Sequence, residues 1–514
     1  MTSPLLGALA PLALVFAAGC TTVAEGREAT QPLLAVTEEP TDPVLAVSYH
    51  QQRIAALDDA GPQINAVVAL NDEARTAVAE ARTLPLKGRT VLVKDNIETR
   101  ELPTTAGSLA LAGNNAGRDA PLIARLREAG GVVLGKTNLS EWANIRDSDS
   151  TSGWSAVGGL TRNPHAIDRN PCGSSSGSGA AVAAGLAWAA IGTETNGSIT
   201  CPASVNGIVG FKPTVGLVSR THVVPISGTQ DTAGPMTRTV ADAALLLTAI
   251  AGADSADPAT TGAVRVADYT AGLANASLQG VRVGVLRKQA GKDQRMTALF
   301  DAALADMRRA GAVLVEIDYE TPDSFWGGTL PVLLYELRET MDAYLAGRPG
   351  TAGPRSLADV VAFNRDHADA ELRWFGQDLF ERALRTTDAA AYEKHLADIR
   401  RMSRGEGIDR LLSDNGVSLL VAPTMGPAWT TDLVTGDNIG WDVGAGYLPA
   451  IAGYPHLTVP MGAIERLPVG ISFIGGQWQD HAVLKAGAAY ESVRSAVLPD
   501  PSFANWEPDH TPGS

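Results

Sequence analysis

The sequence predicts an α/β protein, because strand-like and helix-like segments alternate along most of its 514 residues. Short β-branched runs such as 90–93 and 281–286 stand beside longer segments with apolar residues at helical spacing. Hydrophobic residues make up 45% of the chain and charged residues 19%, which is the balance of a soluble globular protein. The sequence contains no internal repeat. Its pattern favours one long α/β body in which the middle third is more helical.

The elements follow in chain order. Up to residue 168 the pattern predicts helices over 44–57, 71–82 and 120–129, strands over 90–93 and 131–135, and an irregular loop over 154–168. It then predicts a loop and strand over 212–218, a turn over 230–235, a helix over 240–251 and a soft boundary at 252–262. Later strands are predicted over 281–286, 312–317, 419–423 and 469–476, and later helices over 295–310 and 480–494. Residues 326–411 are predicted to be mostly helical with a break around 347–353, as part of a helical excursion at about 270–425.

The first 43 residues differ from the rest of the chain. Leu5 to Ala18 is an apolar run too short to span a bilayer, and Cys20 follows it as in a signal peptide with a lipobox-like end. We therefore expect a signal peptide over 1–20, a flexible tether over 21–43, a globular domain over 44–495 and a C-terminal tail over 496–514. The protein is expected to be exported to the periplasm or cell envelope. Lipidated Cys20 would attach it to the membrane; simple cleavage is the alternative.

Charge and motif content exclude several classes of partner and cofactor. The formal net charge is −15 and no basic run interrupts it, which argues against nucleic acid and anionic membrane surfaces as partners. No CxxC pair, HExxH motif or histidine cluster offers a metal site. We therefore expect no metal, no cofactor and no nucleic acid, and the sequence specifies no oligomeric state.

The most informative stretch is 170–210, in which two clusters of serine and glycine enclose a run of small apolar residues. The run 180–190 predicts a helix that is buried on every side. A flexible linker would not continue into such a helix, so the two clusters are interpreted as turns that hold serines in place. Cys172 and Cys201 flank these turns. A disulfide between them is conceivable in an oxidising compartment, but two buried free thiols are the expected state.

One candidate motif lies inside the first cluster. Gly173 to Gly177 satisfies G-x-S-x-G, the nucleophile elbow of α/β-hydrolases, with Ser175 as its serine. That motif requires a strand immediately before it, whereas 163–171 is polar and contains proline. It also requires an acid and a histidine downstream, and none of the downstream histidines has a distinctive setting. The match is therefore weak evidence.

A second arrangement needs no histidine. Lys94 follows the predicted strand 90–93, where burial would lower the pKa of its amine from the usual ~10.4 until it could act as a base for a serine. The alternative is a lysine whose stem is buried while its charged head reaches solvent. Gly197, before Ser198, would let backbone N–H groups approach a developing oxyanion.

Three motifs together resemble the amidase signature family of Ser-cisSer-Lys hydrolases. They are VLVKDN with Lys94, CGSSSGSGAAVAAG with Ser174 and TETNGSITCPAS with Ser198. They occur 80 and 24 residues apart in the family's order, and the resemblance covers roughly 44–493. It implies a central mixed β-sheet flanked by helices on both faces. It also implies that Ser198 is the acyl-forming nucleophile, that Ser174 follows a cis peptide bond and relays a proton, and that Lys94 is the base.

The same resemblance assigns two further roles. The backbone N–H groups of Thr195, Asn196 and Gly197 match the family's oxyanion hole. Ser175 is left as a supporting hydroxyl that orients its neighbours. These roles come from the matched motifs and remain expectations at this point.

The substrate is also inferred from resemblance. NLSEWAN from Asn138 and TQDTAGPM from Thr229 are similar to the branch of the family that releases ammonia from C-terminally amidated peptides. The alternatives are a broad aryl or acyl amidase with the same triad, an amidotransferase component that supplies ammonia to a tRNA-charging complex, and a non-catalytic envelope lipoprotein. Specificity is expected to lie in the middle third, where Trp326, Tyr335 and Trp374 are expected to be core residues rather than substrate contacts.

Overall fold

The computed structural model describes residues 39–350 and 353–508. The predicted signal peptide with Cys20, most of the tether and the end of the predicted tail lie outside these residues. An 11-stranded mixed β-sheet forms the centre of the fold. The strands are β1 Val67–Leu70, β2 Thr90–Lys94, β3 Val132–Thr137, β4 Trp154–Ser155, β5 Gly159–Leu160, β6 Ala189–Glu194, β7 Val209–Lys212, β8 Thr232–Thr237, β9 Arg282–Val285, β10 Val313–Glu316, β11 Leu419–Pro423, β12 His456–Ile464 and β13 Leu467–Ile474.

The strand order determines which strand ends meet. The main sheet has the order β1-β3-β2-β6-β8-β7-β12-β13-β11-β9-β10, and β4 pairs with β5 in a separate ribbon. β2 runs parallel to β3 and β6, and β9 runs parallel to β10 and β11, whereas the other neighbours are antiparallel. Val93 pairs with Ile191, so β2 and β6 end side by side, at Lys94 and Glu194.

Helices cover both faces of this sheet, as the family resemblance implied. The α-helices are α1 Pro43–Arg53, α2 Ala74–Ala81, α3 Pro121–Glu128, α4 Ser176–Ala183, α5 Thr200–Val205, α6 Val240–Ile250, α7 Gln294–Arg309, α8 Trp326–Gly347, α9 Leu357–Asp366, α10 Ala368–Glu371, α11 Asp378–Arg385, α12 Ala389–Ser403, α13 Asp409–Asn415, α14 Tyr447–Ala452 and α15 Asp480–Val493. Shorter 3-10 or π turns occur at Ile54–Asp58, Leu109–Leu111, Glu141–Asn144, Pro258–Thr260, Arg287–Ala290, Asp323–Phe325 and Arg404–Ile408. Val91 and Val93 belong to one hydrophobic cluster, which also contains residues of α3, α6, α7 and α15, whereas Leu92 between them belongs to another, with residues of α1, α2 and α4.

The middle third contributes to both the sheet and a helical cover. Its strands β9, β10 and β11 extend one edge of the main sheet, so the helical excursion predicted at about 270–425 is continuous with the body. Its helices α8, α9 and α11 form a separate hydrophobic cluster with Trp142 and Ile226. This cluster places α8 beside the loops that follow β3 and β7.

Two predicted elements are wrong in type or extent. The helix predicted over 180–190 ends at Ala183, Gly185 turns the chain with a φ of +67°, and the alanines from Ala189 onward pair as the central strand β6. Sheet pairing on both sides of β6 overrides the helix propensity of alanine. Of the turn predicted over 230–235, residues 232–235 instead belong to strand β8. Gly234 is needed there for close strand packing, because a Cβ would lie 2.1 Å from the Phe211 carbonyl oxygen.

Five strands were not predicted: β1, β7 and β12, and the short β4 and β5, which lie in the segment 154–168 predicted as an irregular loop. The segment 212–218, predicted as loop and strand, contains only the last residue of β7. The remaining predicted helices and strands are present within a few residues of their expected ends.

The two cysteines of the body form a disulfide, so the expectation of free thiols is wrong. Cys172 and Cys201 are 29 residues apart in sequence, and their Cα atoms are 6.0 Å apart. The sequence could not indicate this distance, because it depends on how the two serine-containing turns meet in the folded protein. The bridge joins the turn before Ser174 to helix α5, which follows Ser198.

The end of the chain packs on the body as far as it is described. The Phe503 side chain is buried, and its backbone N–H donates to the Pro164 carbonyl at 2.9 Å.

None of the helices within 39–350 and 353–508 combines the length and the hydropathy that a membrane-spanning helix requires. The same residues include no group of three or more His, Cys, Asp or Glu side chains arranged to hold a metal ion.

Candidate active site

Lys94 ends strand β2 inside the protein. Its side chain has 0% exposure, and its Nζ lies 2.7 Å from Ser174 Oγ, 2.9 Å from Thr193 Oγ1 and 3.2 Å from the Thr193 carbonyl oxygen. Burial lowers the pKa of Lys94 to about 7, against the opposing effect of the negative charges on Asp231 and Glu194. The interpretation of Lys94 as a lysine that reaches solvent is therefore wrong, and a neutral amine is available near pH 7.

Ser174 is held in place by its backbone and its neighbours. The Gly173–Ser174 peptide bond is cis, as the family resemblance implied. The Ser174 carbonyl accepts a hydrogen bond from the Ser140 N–H at 3.0 Å. Glycine at position 173 leaves room for Ser140, because a Cβ there would lie 2.1 Å from Ser140 Oγ and would displace that side chain. The side chain of Ser174 is buried with that of Lys94.

Ser198 and Ser174 line one cavity of about 200 Å³. Both serine turns are joined through the backbone, because the Ser175 N–H donates to the Ser198 carbonyl at 3.2 Å. The lining residues are Ala143, Asn144, Ile145, Gly173, Ser174, Thr195, Asn196, Ser198, Ile226 and Leu333. The structure therefore brings the lysine and the two serines of the predicted triad to one site, with Lys94 behind Ser174 and Ser198 facing the cavity.

The segment predicted as the oxyanion hole lies at this cavity. Thr195 and Asn196 line it, and Gly197, with a φ of +82°, forms the turn immediately before Ser198. Thr195 is fixed by a 2.6 Å hydrogen bond from its Oγ1 to Asp231 and by a 3.2 Å hydrogen bond from Gln230 Nε2 to its carbonyl. The position fits the predicted role, and the role itself remains a prediction.

Ser175 lies away from the cavity and holds strand β6. Its Oγ donates to the Thr193 carbonyl at 3.1 Å and accepts from the Thr193 N–H at 3.2 Å. It is fully buried, and the described part of the chain places no histidine at the cavity. This geometry is what a supporting hydroxyl requires, and it lacks the base that a nucleophile elbow requires.

Sequence reasoning missed the residues that support the triad. Thr193 Oγ1 accepts hydrogen bonds from both Lys94 and Asn96, the latter at 3.0 Å. Glu194 Oε2 accepts from the Ile199 N–H at 2.8 Å, which closes the loop that carries Ser198. Thr193 and Glu194 stand inside the TETNGS motif, so a search for polar side chains at the end of a predicted strand could have found them.

A second, larger cavity of about 430 Å³ adjoins the first. The two share Ala143, Thr195 and Ile226 as lining residues. Helix α8 contributes Tyr344 to the larger cavity, and Leu333 from the same helix lines the smaller one. The middle third therefore does reach the site, as expected, but through residues that the sequence did not single out.

The three aromatic residues named in the sequence analysis do not line either cavity. Tyr335 and Trp374 are partly buried. Trp326 is 50% exposed, so the expectation that it belongs to the core is wrong. It begins α8 at the surface, where its ring contacts Phe325 and Tyr447.

Comparison with known proteins places this architecture in a family. The Amidase family model matches residues 46–484, so the chain belongs to the amidase signature family. The family match and the similar peptide amidase structures support the conclusion that this protein is an enzyme that hydrolyses amide C–N bonds.

Individual relatives agree with this assignment. The native peptide amidase from Stenotrophomonas maltophilia is 48% identical with a TM-score of 0.85, covering 90% of this chain and 95% of that one. A peptide amidase in complex with the competitive inhibitor chymostatin is 48% identical with a TM-score of 0.86, covering 89% and 96%. A probable amidase of Arabidopsis thaliana is 36% identical over 499 residues, covering 91% of this chain and 92% of that protein. A glutamyl-tRNA(Gln) amidotransferase component of Pseudomonas putida is 33% identical over 480 residues, covering 89% and 94%.

Proposed function

We propose that this amidase releases ammonia from the C-terminal carboxamide of peptides through an acyl-enzyme on Ser198. One observation carries the proposal: the buried Lys94 amine is 2.7 Å from Ser174 Oγ, and Ser174 shares a cavity wall with Ser198. A buried amine whose pKa is about 7 can hold a proton during one half of a reaction cycle and return it in the other half.

In the first half-reaction the Ser198 hydroxyl attacks the carboxamide carbon. As the C–O bond forms, the Ser198 proton moves to Ser174 Oγ and the Ser174 proton moves to Lys94 Nζ. The carbonyl oxygen becomes an oxyanion, and backbone N–H groups of 195–197 are placed to stabilise it. When the intermediate collapses, the C–N bond breaks and the proton returns from Lys94 through Ser174 to the leaving nitrogen. Ammonia departs, and the acyl group remains on Ser198.

In the second half-reaction a water molecule hydrolyses the acyl-enzyme. Water attacks the ester carbon, and its proton follows the same route through Ser174 to Lys94. The ester C–O bond then breaks, and the returning proton restores the Ser198 hydroxyl. The products are ammonia and a peptide with a free carboxyl group, and the enzyme is unchanged.

The preference for peptides is supported by two observations. Two peptide amidase structures match about nine-tenths of this chain at 48% identity. The cavity with the serines also adjoins the larger cavity beside helix α8, which offers room for a peptide. The test is ammonia release from amidated peptides compared with peptides lacking the amide and with aryl and alkyl amides. We expect amidated peptides to give the highest kcat/KM. Faster cleavage of anilides would instead indicate a broad aryl or acyl amidase.

The amidotransferase relatives raise a second candidate function. The Pseudomonas putida protein of this class is 33% identical over most of its length. The net charge of −15 opposes a nucleic-acid complex, and the export expected from the N-terminus opposes it as well. Ammonia release from free glutamine would support this candidate. Activity on amidated peptides without release from glutamine would exclude it.

We also propose that the protein is exported and attached to the membrane through Cys20. The disulfide between Cys172 and Cys201 supports the export part, because structural disulfides persist in oxidising compartments. Incorporation of labelled palmitate into the wild-type protein and its loss in Cys20→Ala would support attachment. Release of unlabelled protein into the soluble periplasmic fraction would indicate simple cleavage.

A further inference from the structure

A buried carboxylate connects helix α8 to the 226–231 loop, which precedes strand β8. Glu336 lies on α8 and is 4% exposed. Its Oε2 accepts hydrogen bonds from the Thr229 N–H at 3.2 Å and from Thr229 Oγ1 at 3.1 Å, and Ser227 Oγ donates to the same oxygen. Its Oε1 accepts from the Tyr392 hydroxyl of α12 at 2.8 Å. One carboxylate therefore joins two helices of the middle third to a single loop.

The 226–231 loop also holds the turn over 195–197. Gln230 Nε2 donates to the Thr195 carbonyl at 3.2 Å, and Thr195 Oγ1 donates to Asp231 Oδ1 at 2.6 Å. Both contacts come from adjacent residues of the loop, so a displacement of the loop would also displace Thr195. The backbone N–H groups of this turn are the ones proposed to stabilise the oxyanion, and such donors act through their fixed positions.

Ser227 connects the carboxylate to this part of the loop. Its hydroxyl donates to Glu336 and accepts a hydrogen bond from the Gln230 N–H at 3.0 Å. Its backbone N–H donates to Asp231 Oδ2 at 2.8 Å. The side chains of Ser227 and Gln230 are each about 1% exposed, so water does not compete for these hydrogen bonds. The path from Glu336 to the Thr195 turn is therefore a continuous network of hydrogen bonds.

We propose that Glu336 is a positioning residue for the oxyanion: it fixes the 226–231 loop, and the loop fixes Thr195. The inference rests on the proposed function and adds the residue through which the middle third supports it. Helix α8 also lines the two cavities, through Leu333 and Tyr344, so the helix at the substrate cavities also supports the oxyanion turn. A displaced donor loses most where negative charge develops, so Glu336 should act on kcat more than on KM.

The test compares Glu336→Leu with Glu336→Gln on an amidated peptide. Leucine has a similar size and no acceptor, whereas glutamine keeps one oxygen for Ser227 and Thr229 and can donate to the Tyr392 hydroxyl. We expect Glu336→Leu to lower kcat about 10- to 50-fold with KM within about threefold, and Glu336→Gln to recover most of this loss. Ser227→Ala breaks the same path from the loop side and should lower kcat about 5- to 20-fold.

A second measurement separates positioning from a general loss of structure. When a peptide aldehyde binds, the Ser198 Oγ–C bond forms, the C=O π bond breaks, and the Ser198 proton passes through Ser174 to Lys94 while the oxygen becomes an oxyanion. The corresponding peptide alcohol has no carbonyl and measures binding without this charge. In Glu336→Leu the Ki of the aldehyde should rise by the factor by which kcat/KM falls, and the Ki of the alcohol should change less than about threefold.

Asp342→Leu is the matched control. It removes another carboxylate of α8, whose 2.7 Å hydrogen bond from the Leu357 N–H leads to α9 and not to the 226–231 loop. It should leave kcat and both Ki values within about threefold of the wild type.

Two outcomes would refute the inference. One is a wild-type kcat in Glu336→Leu, and the other is an equal rise of the aldehyde and alcohol Ki values, which a merely structural role would produce. If Glu336→Leu does not fold, Ser227→Ala decides, because an unchanged aldehyde Ki in that variant would also refute it. Failure of the proposed function is visible separately, because the wild type would then release no ammonia from the amidated peptide.

Discussion

The Lys94 amine is withdrawn from solvent at the end of a central strand. No carboxylate of the described residues forms an ion pair with it; a serine hydroxyl and the hydroxyl and carbonyl of Thr193 surround it instead. Desolvation therefore dominates and lowers the pKa of Lys94 to about 7. This combination of burial and uncharged partners allows a lysine to serve as a base.

The first prediction concerns the pH dependence of activity. The base form of Lys94 is needed, and protonation removes it as the pH falls through about 7, so kcat/KM should decrease tenfold per pH unit well below that value. The negative charge of Asp231 raises the pKa of Lys94, so Asp231→Asn should move the acid limb to lower pH. Profiles of kcat/KM from pH 5 to 9 measure both effects. An acid limb that stays in place, or moves to higher pH, would contradict this assignment.

The second prediction concerns Thr193. Its Oγ1 accepts from Lys94 and Asn96, and Thr193→Val removes this acceptor with almost no change of shape. We expect kcat to fall about 5- to 20-fold, because the loss of one hydrogen bond to a catalytic group costs about 1–2 kcal/mol. Thr193→Ser is the control and should stay within about threefold of the wild type. Equal behaviour of the Val and Ser variants would show that the hydroxyl does not position Lys94.

At the scale of elements, the disulfide connects the two segments that carry the serines. Cys172 precedes Gly173 directly, and Cys201 follows Ser198 by three residues at the start of α5. Both segments also depend on the junction of β2 and β6, where the parallel pairing brings Lys94 to Thr193. The site is thus assembled by one strand junction and one covalent bridge.

The third prediction concerns this bridge. Replacing both Cys172 and Cys201 by Ser should lower the free energy of unfolding by about 3.5 kcal/mol, the value expected from the chain entropy of a loop of this length. Thermal unfolding monitored by circular dichroism measures the change. Addition of a reductant is the control: dithiothreitol should lower the Tm of the wild type and leave the Tm of the double variant unchanged. A wild type that is insensitive to reductant, or a double variant as stable as the wild type, would contradict the prediction.

At the scale of the whole molecule, the sequence located the candidate site residues, which the structure brings together, better than it predicted the strands of the sheet. Lys94, Ser174 and Ser198 lie in short motifs, and each can be identified without knowing its neighbours in space. The disulfide and the exposed position of Trp326 depend on tertiary contacts, which no local pattern encodes. Strand β8 was predicted as a turn because Gly234 and Pro235 usually break strands, whereas here glycine permits close approach to Phe211.

The supporting residues show the same limit. Thr193 stood inside the TETNGSITCPAS motif, yet its role follows from a hydrogen bond with Lys94 that forms only after β2 and β6 have met. The order of the strands in the sheet likewise depends on long-range pairing. The α/β class and most element positions could be predicted because they depend on local periodicity.

The most direct test of the account is the position of the acyl group. Wild-type enzyme should be mixed with an amidated peptide, quenched in acid during turnover and digested for mass spectrometry. We expect the peptidyl acyl group on Ser198, its loss together with all activity in Ser198→Ala, and its retention in Ser175→Ala. An acyl group on Ser175, or substantial turnover by Ser198→Ala, would contradict the assignment of Ser198 as the nucleophile.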